Sequence, residues 1–362
     1  MTRYVIILNM GIKNIARLLL LTLGIIGILV LWSEKNPGQL LSPFVQQSKP
    51  VTPLLKYSFP ELRQRVYPGS KIKIGKKLSP AIAIGDKVRP CQSYVFTFQT
   101  EGKTVSGLIN IPKRSEKSEA GSEKLPVIVM IRGYADVEGY TTGLGTKKPA
   151  EFFCQNGFIT LAPDFLGFGE SDQASGDILE ARFEKPVTVM NLLASIKNPT
   201  STFTLNEVNV LPINPDQIFL WGHSNGGQIV LSVLEISQAN IPTVLWAPVT
   251  AGFPESVLGY LGELDDNGLR VKNAIDNFLK IYDPKLFSID NYWSDINTQI
   301  QLHQGLADPL VTEEESDKFV DRLKSLGKDI SIYKYPNNDH NLSKDWDKVV
   351  ETSLKFYQDK LR

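Results

Sequence analysis

"FLWGHSNGGQIVL", residues 219–231, sets Gly222, His223, Ser224, Asn225, Gly226 and Gly227 between two apolar runs. The first run reads as a buried strand and the second as the start of a helix. Two readings compete for the residues between them. One is a tight turn that merely begins a helix. The other is a serine held on a sharp bend so that its hydroxyl can attack. A G-x-S-x-G elbow requires this strand–turn–helix context. Its backbone is strained and its neighbours crowd it, so it needs glycine. The helix that follows offers free N–H groups and a partial positive charge, and both favour developing negative charge. The pattern alone is weak, so the surrounding chain and the partner residues decide.

Outward from the serine, buried strands alternate with helices. "LPVIVMIRG" is a continuous apolar run, as expected for a strand covered on both faces. A helix over 147–156 follows, then strand "FITLAPD" and helix "VTVMNLLASI". After the serine come strands "IPTVLWAP" and "TQIQLHQG", helix "EEESDKFVDRLKSLG", strand "DISIYKYP" and a helix over 344–360. This order predicts a mostly parallel central sheet with helices on both faces. Ahead of it, "SYVFTFQTEGKTVSGLINIP" alternates apolar and polar around Glu101-Gly102, which predicts an antiparallel hairpin. The charged stretch 113–124 reads as a surface loop. Residues 251–297 interrupt the alternation and are rich in aromatics. They read as a small helical cap over the site, or as extra packing at the sheet edge.

At the N-terminus, Leu18 to Trp32 carries no charge. Fifteen helical residues rise about 22 Å, and Arg17 and Trp32 extend that reach towards the ~30 Å of a bilayer core. Arg3, Lys13 and Arg17 precede the run with no acid among them. That asymmetry places the N-terminus inside and the rest of the chain extracytoplasmic. No A-x-A-like site follows the run, so residues 1–35 are expected to be a retained single-pass transmembrane anchor rather than a cleaved signal peptide. Five prolines between 37 and 60 predict an extended tether over 36–75, leaving 76–362 as the catalytic domain.

Composition narrows the function. The 362 residues carry 39 basic and 39 acidic side chains, and no Lys/Arg cluster is interleaved with aromatics, so no nucleic-acid partner is expected. Cys91 and Cys154 lack C-x-x-C spacing and cannot make a zinc site by themselves. They suit one disulfide in an oxidising compartment, although two unpaired thiols is the plainer reading. No metal or cofactor is implied.

A serine hydroxyl needs a base. Only His223, His303 and His340 exist. His223 adjoins the serine and is expected to pack elsewhere. His303 lies inside a strand and is expected to be core or pocket lining. His340, in "YPNNDHNLSK" after the last strand, alone completes the order Ser, acid, His. Among the eleven aspartates between Ser224 and His340, Asp308 stands on a turn directly after a buried strand. It is the candidate that orients the imidazole. Asn225 N–H and Tyr134 of "RGYAD", through its N–H or its hydroxyl, are the candidate oxyanion donors.

Together these residues resemble the α/β-hydrolase fold, and within it the catalytic domain of prolyl oligopeptidase-like (S9-type) serine hydrolases, over roughly 90–360. "GHSNGG" is similar to that family's G-x-S-x-G-G. "HQGLADPLV" is similar to its H-G-x-x-D-x-x-V stretch, with Gln304 inserted. "APDFLGFGESD" is similar to its D-x-R-G-x-G-x-S loop, with Leu166 at the arginine, and Arg132 stands where histidine is frequent in the oxyanion loop. The resemblance implies an esterase or peptidase acting on a small-molecule ester or a peptide. Aminopeptidase or dipeptidyl activity is the nearer alternative, and a non-catalytic binding protein on the same fold the more distant one. The family's oligopeptidases carry a gating β-propeller. Only an anchor, a tether and a hairpin are expected here, so oligopeptide specificity is not carried over.

Overall fold

A computed structural model of the chain describes residues 52–78, 91–113, 124–197, 204–205, 209–210 and 213–361, together with Thr22. The apolar run 18–32, and with it the anchor-or-signal reading, lies outside the described residues apart from Thr22. So do residues 36–51 of the expected tether. Among the described residues no helix is long and apolar enough to cross a membrane.

Strands β1 (Lys73–Lys77), β2 (Cys91–Thr100), β3 (Lys103–Pro112), β4 (Leu125–Ile131) and β5 (Ile159–Pro163) are followed by two short pieces, β6 (Thr204–Leu205) and β7 (Asn209–Val210). Then come β8 (Ile213–His223), β9 (Thr243–Trp246), β10 (Ile300–Gly305) and β11 (Ile330–Tyr335). They form one sheet in the order β11-β10-β9-β8-β4-β5-β3-β2-β1-β6-β7. From β5 through β4 and β8 to β11 every neighbouring pair is parallel. Strands β2 and β3 are the predicted hairpin, antiparallel with Thr100 opposite Lys103. Glu101 and Gly102 both have positive φ, as a two-residue turn matched to strand twist requires.

Side chains alternate across the parallel strands and divide the interior in two. Val127, Val129, Ile131, Ile218 and Leu220 face one core, while Ile128, Met130, Phe219 and Trp221 face the other. The first core is covered by helices over Ile178–Lys197, Asn225–Ser237 and Glu313–Ser325, the second by Lys147–Gln155 and Trp346–Asp359. With the helical turn Phe59–Gln64 first and the insertion's Glu255–Leu258 and Leu269–Phe278 in their place, these are α1 (Phe59–Gln64), α2 (Lys147–Gln155), α3 (Ile178–Lys197), α4 (Asn225–Ser237), α5 (Glu255–Leu258), α6 (Leu269–Phe278), α7 (Glu313–Ser325) and α8 (Trp346–Asp359).

Three sequence expectations change. Residues from Pro53 onward are not an extended tether: a 3₁₀ turn, Pro53–Tyr57, and α1 bury Leu54, Tyr57, Phe59 and Leu62 in the first core, and Lys73–Lys77 pairs with β2. Pro53 and Pro60 sit in first helical turns, where no N–H is missed. Helix α3 begins at Ile178 rather than Val187, with the Asp177 carboxylate accepting from the N–H groups of Leu179 and Glu180 and Pro186 inside it. Cys91 and Cys154 are joined in a disulfide, which ties β2 to α2.

The insertion is helical, with α5, α6 and several 3₁₀ turns. Its Phe253, Phe278 and Phe287 pack on Phe183 of α3. Its Tyr260 donates a hydrogen bond to the Leu310 carbonyl, two residues beyond Asp308.

Candidate active site

Ligands of open α/β sheets bind outside the carboxyl ends of the strands. Each candidate residue lies there. Ser224 follows β8, the Arg132–Tyr134 loop follows β4, Asp308 follows β10 and His340 follows β11.

Ser224 has φ 57° and ψ −128°, a positive-φ conformation that a non-glycine residue holds at a cost of about 1–3 kcal/mol. The bend is fixed from both sides. Ser224 N–H donates to the Trp246 carbonyl at 3.0 Å, and its own carbonyl accepts from Gly227 and Val249 N–H. A Cβ on Gly226 would run into the carbonyl oxygens of Ile131 and Arg132, which explains the glycine two residues after Ser224. Gly133 is equally confined, since a Cβ there would lie 2.9 Å from Ser224 Cβ and 3.4 Å from its Oγ. The loop after β4 therefore passes directly over the serine.

His340 Nδ1–H donates to Asp308 Oδ2 at 2.7 Å, with both residues buried. That bond leaves Nε2 as the basic nitrogen. The other Asp308 oxygen accepts from the N–H groups of Leu310 (2.8 Å) and Val311 (3.0 Å). Burial is the largest influence on this carboxylate and works to raise its pKa. The hydrogen bond and charge of His340, with the two amides, overcome it and hold the group below its ordinary value. Gln304, inserted relative to the family motif, is fully buried and braces this turn by donating to the Val311 carbonyl at 2.8 Å.

One leg of the constellation is open. Among the described residues the Ser224 hydroxyl has no hydrogen-bond partner, His340 included. Such bonds are often long without substrate and tighten on binding.

His303 is fully buried against Tyr335, Gln301 and Ser353, as a core histidine. His223 departs from expectation. It faces the His340 loop, with Nε2–H donating to the His340 carbonyl at 3.0 Å. Asn225 is the first residue of α4, where a backbone N–H has no acceptor within the helix. Tyr134 is 61% exposed and its hydroxyl donates to Asp136 Oδ1 at 2.9 Å. Arg132, in place of the frequent histidine, is buried. It donates to the carbonyls of Gly133 (2.9 Å) and Asp164 (3.1 Å) and stacks on Phe168 at 4.2 Å, so it fixes the loop from beneath.

Sequence reasoning met Asp164 only as part of a loop motif, with no role of its own, and passed over Arg182 and Lys185. Asp164 is fully buried and accepts from Tyr140, Thr142 and Ser106 hydroxyls, tying the loops after β4 and β5 to strand β3. Arg182 and Lys185 line a cavity beside Asn225. Their i, i+3 spacing places them on one helix face, a signal that became visible only once α3 was seen to begin at Ile178.

Among solved structures, the chain is similar to a puromycin-hydrolyzing peptidase of Mycobacterium tuberculosis, with 15% identity and a TM-score of 0.53 over 73% of this chain and 39% of that one. It is similar to the acylaminoacyl peptidase of Pyrococcus horikoshii, with 17% identity and a TM-score of 0.51 over 74% and 40%. It also resembles acetyl xylan esterase 1 from Thermoanaerobacterium sp. JW/SL YS485, with 14% identity and a TM-score of 0.51 over 86% and 96%. The chain thus spans about two fifths of the peptidases and nearly all of the esterase. At these identities the likeness concerns the fold, which is α/β-hydrolase-like with a mostly parallel central sheet. No curated protein matches the chain. The prolyl oligopeptidase family matches it over residues 146–362, and the chain belongs to that family.

Proposed function

We propose that the chain is a serine hydrolase that cleaves carboxyl ester or amide bonds through an acyl-enzyme intermediate. The observation that carries this reading is the buried Asp308–His340 pair, standing at the same end of the sheet as the strained Ser224. Ser224 Oγ attacks the substrate carbonyl carbon while His340 Nε2 takes the hydroxyl proton. Asp308 holds the ring in the tautomer that makes this possible and stabilises its charged form. The N–H groups of Asn225 and Tyr134 hold the oxyanion. On collapse the bond from carbonyl carbon to the leaving oxygen or nitrogen breaks, and His340 returns the proton to the leaving group. Water then repeats the sequence on the acyl-enzyme and releases the carboxylic acid.

Ser224→Ala is expected to lower hydrolysis of a short p-nitrophenyl ester by about 10³-fold or more and to abolish labelling by a fluorophosphonate. Equal labelling of the two proteins would refute the assignment. A non-catalytic binding protein on the same fold draws on the open Ser224–His340 leg. A folded wild-type chain that ignores the fluorophosphonate would favour it.

An extracytoplasmic position of the catalytic domain is part of the proposal, with residues 18–32 as its membrane anchor. The Cys91–Cys154 disulfide supports an oxidising compartment. Protease added outside intact cells is expected to digest the domain, and full protection would count against that side.

A further inference from the structure

A cavity of about 50 Å³ opens beside Asn225. Helix α3 contributes Arg182 and Lys185 to its wall, α4 contributes Asn225 and Gln228, and the insertion contributes Phe253 and Phe287. One water needs roughly 10–15 Å³ of such space, so the cavity admits a small group and no ring.

The wall is mostly apolar, yet two cations reach it and no acid lines it. Among the described residues Arg182 donates only to neutral oxygens, Gln228 Oε1 and Ser256 Oγ. Among the described residues the Lys185 ammonium has no hydrogen bond and no ion pair. Both side chains are partly buried, and charge withdrawn from water without a counter-ion is costly. Both groups register it. Burial lowers Arg182 to about 10, and burial, then repulsion from Arg182 and Arg132, lowers Lys185 to about 7 against a weaker upward pull from Glu184. A third cation, Arg132, stands close enough to act on Lys185 and lies under the loop that covers Ser224. Among the described residues no acid lines the cavity, and one end of it reaches Asn225, the residue after Ser224.

We propose that this cavity binds a carboxylate carried by the substrate within a few bonds of the carbonyl that Ser224 attacks. The chain thereby selects negatively charged esters or amides. The guanidinium fork of Arg182 suits the planar carboxylate, and Lys185 supplies a point charge. The same pair repels an α-ammonium group, which argues against aminopeptidase and dipeptidyl activity. This inference rests on the serine-hydrolase reading for its catalytic consequence and on the cavity alone for binding.

Two measurements test it and keep the readings apart. The first compares kcat/KM for p-nitrophenyl hemisuccinate, p-nitrophenyl valerate and the p-nitrophenyl ester of 4-aminobutyrate. The wild type is expected to prefer the anionic ester over the neutral one, and the neutral over the cationic, by about 10-fold at each step, the worth of one charge-assisted hydrogen bond. Lys185→Met and Arg182→Met are each expected to cut the anionic-to-neutral ratio about 10-fold, mainly through KM. A structural role would lower both esters together and leave the ratio unmoved. That result in both variants, or a wild type that favours the neutral ester, overturns the proposal. The second measurement needs no turnover. Calorimetric titration of Ser224→Ala with monomethyl succinate is expected to give binding that disappears in Ser224→Ala/Lys185→Met. Absence of binding to the folded Ser224→Ala protein overturns the cavity assignment whatever the activity. Failure of the wild type to react with a fluorophosphonate overturns the hydrolase reading and leaves the titration to decide the cavity.

Discussion

The rings of His223 and His340 stand 4.8 Å apart, and the only role open to a carbonyl oxygen in their hydrogen bond is acceptor. His223 therefore keeps its proton on Nε2. Burial, with the charge of His340 next, lowers its pKa to about 4, so it is a neutral donor across about pH 5–8. Asp308 steers the His340 ring through Nδ1, and His223 steers the backbone that carries it. For the proposed reaction His223 is in this sense a positioning residue, one position before Ser224. His223→Phe keeps the ring and deletes the donor. Because a 1 Å misplacement can cost about 10²-fold, kcat for a short ester is expected to fall about 10–100-fold with little change in KM. Loss of the hydrogen bond is expected to cost about 1 kcal/mol of stability in a thermal melt. His223→Gln, which can donate from a similar reach, is expected to recover most of kcat. A His223→Phe protein with wild-type kcat would show that Asp308 positions the ring without help.

The elbow and the loop above it belong together, since each limits the other's side chains. Gly133→Ala sets a methyl 2.9 Å from Ser224 Cβ, and the serine sits on a backbone tied to Trp246, Gly227 and Val249. The loop must therefore move, and with it Tyr134, the proposed oxyanion donor. Activity is expected to fall about 10²–10³-fold, the usual loss for one such donor, and the melting temperature only slightly. Unchanged kcat would place the second donor outside this loop. Close approach of this kind is why the candidate site was legible in the sequence: it forces glycines around Ser224, and strands buried on both faces betray themselves as continuous apolar runs. Asp308 and His340 could be proposed because each follows a strand that continues the alternation with helices, and histidine is scarce. Other elements were hidden by prolines. Pro186 reads as a stop although α3 runs through it, which left Arg182 and Lys185 in an apparent loop. Pro53 and Pro60 read as a tether, because nothing local tells that Leu54 and Phe59 have a core to enter. The acidic patches that the sequence does advertise, such as 313–315, begin α7, where they favour the helix N-terminus.

At the scale of the whole molecule, the first core is closed by the chain's early residues, and at that closure a carboxylic acid is buried. Glu235 of α4 is fully inaccessible, and neither of its carboxyl oxygens has a hydrogen-bond partner among the described residues. Arg63 of α1 passes close but is committed elsewhere: its Nη2 meets Asp295 at 2.5 Å and its Nε donates to the Glu235 backbone carbonyl at 3.2 Å. Burial therefore dominates and pushes the Glu235 carboxyl well above its ordinary range, with Arg63 opposing and Asp295 and Asp290 assisting. The folded chain holds a proton here that the unfolded chain releases above about pH 4.3. Stability from this group is thus fully present below that pH and declines as pH rises towards the folded value, by at most about 1.4 kcal/mol per pH unit. Glu235→Gln keeps the shape and removes the titration. Denaturant unfolding at pH 5, 6.5 and 8 is expected to find the wild type losing stability relative to the variant with each step upward, so that the variant's advantage is greatest at pH 8. Parallel curves for the two proteins would mean that the carboxyl is ionised in the folded chain, and that the junction of α1, α4 and the Trp293–Asp295 turn opens to water.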